Sequence, residues 1–184
     1  MPSLPKRLVA LAAAIGCSLS ALPAAAQWIA SGRWGTETNW RYVVPGTWLI
    51  QRSDDPAQPV SIHAEGDNHV GRIELWCNPE TRGSALRFGA YRGDALHQPA
   101  AFEQEKTSET VAFVIDGTRF ERLFEYDAAA RIWTATDVLD ADFLNAFSWA
   151  SRMDLVNAAG EPITGYRMNG SSAAREALRR SCQF

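Results

Sequence analysis

The sequence predicts a mainly β protein: an antiparallel sheet or sandwich with two short helices, the last one C-terminal and disulfide-linked to a strand. Three observations lead there. Apolar runs are short and broken by frequent Gly, Pro, Asn and Asp, the spacing of strands and turns rather than of long helices. Helical spacing behind a capping side chain stands out in "LDADFLNAFSWASR" and "SSAAREALRRSC". Two cysteines remain once an N-terminal leader is set aside.

The leader comes first. Lys6 and Arg7 form a positive start, Leu8 to Leu22 is an apolar run of small residues, Pro23 breaks it, and Ala24-Ala25-Ala26 offers a cleavage site. This reads as a signal peptide over 1–26, too short and too poorly flanked for a membrane span. Cleavage after Ala26 leaves 27–184 as a single β-rich domain without internal repeat or linker, exported to the periplasm or secreted. A rival reading is a lipoprotein cut at Cys17 in "AIGC", but the run before it is short and Ala14 stands where Leu is usual. Of 18 Lys and Arg against 21 Asp and Glu, removing Lys6 and Arg7 takes the net charge from -3 to -5. That balance does not attract nucleic acid or an anionic membrane. The mature chain holds no apolar run long enough to span a bilayer.

With Cys17 gone, Cys77 and Cys182 form an even pair in an oxidising compartment, and only one connectivity exists. A Cys77–Cys182 disulfide is expected, pinning the last helix to a strand about a hundred residues earlier, worth about 4–5 kcal/mol in the chain-entropy model. The alternative is two separately buried thiols. A metal site needs more ligands than this pair supplies.

The strands follow in order. "GTWLIQRS" is the first secure one, ended by the breaker cluster "DDPAQP". "VSIHA" and "VGRIELWCN" flank "EGDN" as a hairpin; a two-residue turn at Gly66-Asp67 pairs Val60 with Ile73, His63 with Val70 and Ala64 with His69. "SALRFGAYRG" alternates Leu86, Phe88 and Ala90 against Ala85, Arg87 and Gly89. "AFEQEKTSET" reads as a polar surface loop. In "TVAFVIDGTRFERLFEY", Asp116-Gly117 suits a type I′ turn that pairs Ile115 with Thr118 and Phe113 with Phe120. Phe113, Ile115, Phe120, Phe124 and Tyr126 then share a core face, with Arg119 and Glu121 on the other. "RIWTAT" is read as a further strand.

The first helix places Phe143, Leu144 and Phe147 on one side, with Asp140 or Asp142 as cap. "MDLVNAAGEPITGYRM" then reads as strand, turn, strand. The last helix has Ser171 or Ser172 as N-cap, an Ala174, Ala177, Leu178 stripe, and Arg179-Arg180 near its C-terminal dipole end.

Candidate chemistry is sparse. His63, Glu65, Asp67 and His69 recur at every second position and are suitable zinc ligands by type. The expected register sets the two histidines on opposite faces, because a one-residue slip that paired them would turn one apolar set outward. No metal or other cofactor is expected. There is no G-x-S-x-G elbow. Ser172 and Arg175 resemble a Ser-x-x-Lys pair, but a guanidinium stays protonated and cannot act as base. His97 is a conceivable general base without an identifiable partner. Asp54-Asp55 and Asp140/Asp142 look like turn and cap residues. Arg82, Arg87 and Arg92 recur every five residues and should alternate faces.

The tryptophans carry more information. Trp28, Trp34, Trp40 and Trp48 crowd the mature N-terminus, with Arg33 and Arg41 beside two of them. Rings on loops make stacking platforms, and arginine adds cation–π and bidentate bonding. The other reading is that these rings seal an end of the fold. The centre of a partner- or ligand-binding surface is placed at Arg33, Trp34, Trp40 and Arg41.

The segment from Phe143 to Cys182 has a shape of its own: short helix, strand, turn, strand, Gly-Ser-Ser, then a helix with an alanine pair ending at a cysteine. Carried by Gly170, Ala174, Leu178 and Cys182, it resembles the last third of the invasion-associated locus B family of periplasmic proteins, and secreted accessory proteins associated with type VI secretion. The family's further cysteines are missing, and the N-terminal half has no counterpart. The resemblance implies a periplasmic β-rich domain without known catalysis and transfers no functional residue. The expectation is an exported, non-catalytic binding or accessory protein acting on a protein partner, peptidoglycan or another glycan. The alternatives are a small periplasmic hydrolase using His97 or His63, and an inhibitor or immunity protein against a secreted enzyme.

Overall fold

The computed structural model describes residues 30–33, 40–43, 46–51, 59–77, 83–100, 102 and 106–182. The leader with Cys17, and Trp28, Trp34, Asp54, Asp55 and Arg82, lie outside the described residues. In chain order the strands are β1 (Ala30–Arg33), β2 (Trp40–Val43), β3 (Leu49–Gln51), β4 (Ser61–Glu65), β5 (Arg72–Cys77), β6 (Ser84–Gly89), β7 (Thr107–Ile115), β8 (Thr118–Asp127), β9 (Ile132–Thr136), β10 (Arg152–Val156) and β11 (Pro162–Arg167). The helices are α1 (Ala141–Trp149) and α2 (Ser171–Cys182).

The longest strands surround the Asp-Gly turn. Asp116 and Gly117 both take positive φ, 43° and 90°, which matches the twist of the flanking strands. β7 and β8 pair Ile115 with Thr118 and Phe113 with Phe120. Phe113, Ile115 and Phe124 are buried and Phe120 and Tyr126 half-buried, while Arg119 and Glu121 are exposed. Asp116 also leaves the hairpin: its carboxylate accepts from the Ser151 amide at 2.9 Å, the Ser151 hydroxyl at 2.9 Å and the Arg152 amide at 3.1 Å. These bonds hold its carboxyl below the usual carboxylate range.

Nine strands form one antiparallel sheet in the order β11-β10-β7-β8-β9-β6-β5-β4-β3, and β1 and β2 pair separately. Alternating residues turn one face inward: Ile62, Ala64, Ile73, Leu75, Leu86, Phe88, Phe113, Trp133, Met153, Leu155 and Tyr166 are all buried. The sheet is curled, and its two edges meet. Thr47 bridges Asn169, and the Trp48 amide donates to the Asn169 carbonyl at 2.8 Å. The Thr164 hydroxyl donates to the Val70 carbonyl. Arg152 reaches Asp67 at 2.8 Å.

Both helices lie against the inner face. Asp140 caps α1, accepting from the Phe143 amide at 2.8 Å, and its other oxygen accepts from Arg122 of β8 at 2.7 Å. Phe143 stands edge-on to Phe113 and Phe120, at 5.3 and 5.4 Å between centroids. Such pairs add about 0.5–1.5 kcal/mol beyond area burial. Arg175 of α2 donates to Asn145 of α1 at 3.0 Å, so this arginine ties the helices together. Cys182 on the last turn of α2 is bonded to Cys77 at the end of β5, with Cα atoms 5.4 Å apart and both residues buried.

Several local expectations are corrected. The β4–β5 connection is longer than a two-residue turn: Ala64 pairs with Ile73 and His63 with Glu74. Residues 66–71 form the connection, with a 3-10 turn at Asp67–His69 and Gly66 donating to the Gly71 carbonyl at 2.8 Å. The shift is an even number of residues, so the same apolar set still faces inward and alternation cannot distinguish the two registers. Gly71 makes the longer turn possible: at φ 77° it leaves no Cβ, which would fall 2.4 Å from the Phe88 ring. Gly170, not Ser171 or Ser172, precedes α2 at φ 83°, and its carbonyl accepts from the Ala174 amide at 3.0 Å. A Cβ there would meet the Trp48 carbonyl at 3.0 Å. Thr107–Thr110, expected in a loop, belong to β7, and β6 stops at Gly89, leaving Ala90 exposed at φ 55°.

Two measurements test this architecture. Cys77→Ala/Cys182→Ala, which opens a cross-link spanning 105 residues, is expected to lower unfolding stability by about 4–5 kcal/mol in a urea titration. Asp116→Asn keeps a residue that tolerates positive φ but removes the charge. Because the folded carboxyl titrates below its unfolded value, its contribution is complete above about pH 4 and is lost as pH falls through the folded pKa. The urea midpoints of Asp116→Asn and the parent chain should therefore differ at neutral pH and draw together as the pH falls below the ordinary aspartate value of about 4.

Candidate functional site

The histidine–carboxylate series in "SIHAEGDNH" separates into structural roles. His63 and Glu65 lie on the face of β4 opposite Ile62 and Ala64, and both are buried. Glu65 is aligned with Arg72, whose guanidinium donates to it at 3.4 Å, and His69 Nδ1 lies 3.2 Å from the same oxygen. Asp67 takes Arg152 at 2.8 Å, with Arg167 at 3.7 Å. These arginines engage the carboxylates and join the β4–β5 turn to β10 and β11. Among the described residues, no group of three or more His, Cys, Asp or Glu is placed to hold a metal ion. Tyr166 is buried nearby; burial, and next the Glu65 charge, push its phenol well above the ordinary range.

Of the N-terminal aromatic set, Trp48 is a core residue. It is 3 % exposed, edge-on to Phe147 at 4.7 Å and 5.9 Å from Tyr166. The β1–β2 register sets Arg33 opposite Trp40 and Gly32 opposite Arg41; Trp34 lies outside the described residues. Arg87 is on β6 over the Trp76 ring at 5.0 Å, and Arg92 is in the following loop.

That loop builds the site which sequence reasoning missed. The strand registers put the Arg72, Gly89, Ile132 and Asp127 ends together at one mouth of the curled sheet, away from the disulfide. Residues 90–100 cross this mouth, and between them and the β8–β9 turn lies an open cleft of about 860 Å³. Arg92, Asp94, His97, Phe102, Tyr126 and Arg131 are among its lining residues. A smaller space of about 490 Å³ adjoins it around Ala90, Arg92 and Gly93, and reaches His69.

The loop is irregular yet tied down. Leu96 and Pro99 are buried beneath it. The Ala95 amide donates to the Tyr91 phenol oxygen at 3.1 Å, the His97 amide to Glu109 at 2.6 Å, and Asn157 to the Ala95 carbonyl at 3.0 Å. Tyr91 is buried against Phe88, with ring centroids 5.6 Å apart, and burial raises its phenol pKa. A Cβ on Gly93 would lie 2.3 Å from that phenol oxygen, so glycine lets the chain pass directly over it. A cleft with a fixed wall is suited to binding, because little ordering remains to be done when a ligand arrives.

Comparison with protein-family models, with curated proteins and with solved structures finds no match to this chain. "GAYRGDALHQP" does carry the composition of a site loop: glycine, small residues and four polar types within a few positions. Sequence alone marks His97 there as a candidate base and Arg92 as a solvated residue but does not join them into a site, because the loop's companions, Tyr126 and Arg131, are about thirty residues away in the chain.

Tyr91→Phe removes the acceptor of the Ala95 amide. The loss of about 1 kcal/mol expected for such a bond should speed hydrogen exchange at Ala95 about fivefold relative to the β7–β8 core, as read by amide NMR.

Proposed function

We propose that this chain is an exported, non-catalytic binding or accessory protein that acts on a cell-envelope component or a protein partner. The cleft at the sheet mouth carries this reading: it is open, its wall is held by a hydrogen bond within the loop and by two more to β7 and to the β10–β11 turn, and it joins exposed arginines to aromatic rings. Arg33, Trp34, Trp40 and Arg41 are proposed as a second contact region, which the alignment of Arg33 with Trp40 across β1 and β2 supports. The buried Cys77–Cys182 disulfide fits a chain that matures in an oxidising compartment. Among the described residues, no helix is long and apolar enough to cross a membrane. The leader over 1–26 and the likeness of the C-terminal segment to the invasion-associated locus B family support periplasmic placement.

Sedimentation with purified peptidoglycan sacculi tests the reading. The disulfide-bonded chain is expected in the pellet, with a shift in tryptophan emission. Either Arg92→Ala/Asp94→Ala or the combined alanine replacement of Arg33, Trp34, Trp40 and Arg41 should return it to the supernatant. A parent chain that stays in the supernatant with sacculi, with lipopolysaccharide vesicles and with periplasmic extract removes the proposal.

A further inference from the structure

We infer that the cleft at the sheet mouth holds an uncharged sugar chain, an assignment that rests on the binding reading above. Charge is the first support. Arg92 and Arg131 line the cleft, but Asp94 lines it too, and the Glu109 carboxylate lies just behind, holding the His97 amide at 2.6 Å. With cations and anions this closely balanced, the site has no one-signed field to select a highly charged ligand. A carboxylate beside guanidinium groups instead supplies acceptors and donors together. Vicinal hydroxyls, each able to donate and accept, match that pattern.

Ring faces are the second support. Tyr126 is half-buried in the wall, its ring 4.9 Å from Trp133, and Phe102 is 84 % exposed at the rim. A fixed ring and an open one offer apolar surfaces to the C–H face of a sugar, leaving its hydroxyl edge to the charged groups.

Sheet topology supplies the third and disfavours an extended peptide. β6, β8 and β9 meet at this mouth, and each is paired on both sides. Among the described residues, no strand edge is free there for a peptide to join by backbone hydrogen bonds. Recognition at this place falls to side chains, which suits a ligand without a backbone of its own.

An amide NMR titration of the disulfide-bonded chain with triacetylchitotriose, cellotriose and trigalacturonate tests the inference. Either uncharged trisaccharide is expected to shift resonances of residues 90–100 and 128–131 more than trigalacturonate does. Arg92→Ala and Asp94→Ala, both replacing exposed residues, should each weaken that binding about tenfold, the loss of one charge-assisted hydrogen bond. Equal or stronger binding of trigalacturonate, or no shift with any of the three, overturns the sugar assignment. Shifts that survive both substitutions overturn the cleft as its location. Sedimentation with sacculi that persists while no trisaccharide moves the cleft would sink this inference alone; loss of both would sink the binding reading with it.

Discussion

The pairing of β6 with β9 is the contact on which the rest of the molecule depends. On one side of it, β3, β4, β5 and β6 follow each other as a simple meander; on the other, β10 and β11 are added to the β7–β8–β9 meander. Each half is a sheet with one apolar face and nothing of its own to cover it. Joining Leu86 to Ala135 and Phe88 to Trp133 makes one surface of nine strands. A twisted sheet of that width buries its apolar face by curling. The curl brings Thr164 to Val70 and Asn169 to Trp48, so hydrogen bonds from the two edges meet at a seam.

Curling leaves two ends to fill, and the chain fills them differently. At one, α1 and α2 contribute Phe143, Phe147, Ala174 and Leu178 to the interior, and the disulfide holds the end of α2 to β5. At the other, a loop rather than a helix crosses the mouth, with Tyr91, Leu96 and Pro99 buried under it. Long rings and a covalent bond make the first end a packed core. Small residues, a phenol and a few directed hydrogen bonds leave space at the second. The cleft is thus a product of how the sheet is capped, and its rigidity comes from the same bonds that replace regular structure in the loop.

The polar residues on the outer face of β4 and β5 serve the seam. Asp67 and Glu65 sit where the two edges of the sheet approach, and Arg72, Arg152 and Arg167 converge on them. Replacing backbone ladder bonds with side-chain ion pairs at this place allows the edges to meet without a continuous strand pairing. His69 at the same turn joins this network through Glu65.

Several features were settled by local chemistry and legible without a fold. Asp116-Gly117 dictates its own turn because few other residues accept positive φ at both positions, and the registry of Phe113 with Phe120 follows. An aspartate at 140 or 142 announces α1 by the cap its carboxylate offers, the fold settling on Asp140, and two cysteines leave one partner each. The connection at Gly66 was not legible, because registers four residues apart present identical faces; the room beside Phe88 chose between them. Gly170 displaced the serines as the residue before α2 because the Trp48 backbone lies against it, a neighbour far off in the chain. The cleft was hidden for a related reason. Arg92, Tyr126 and Arg131 have no periodicity in common, and only the pairing of β8 with β9 and β9 with β6 brings them to one mouth.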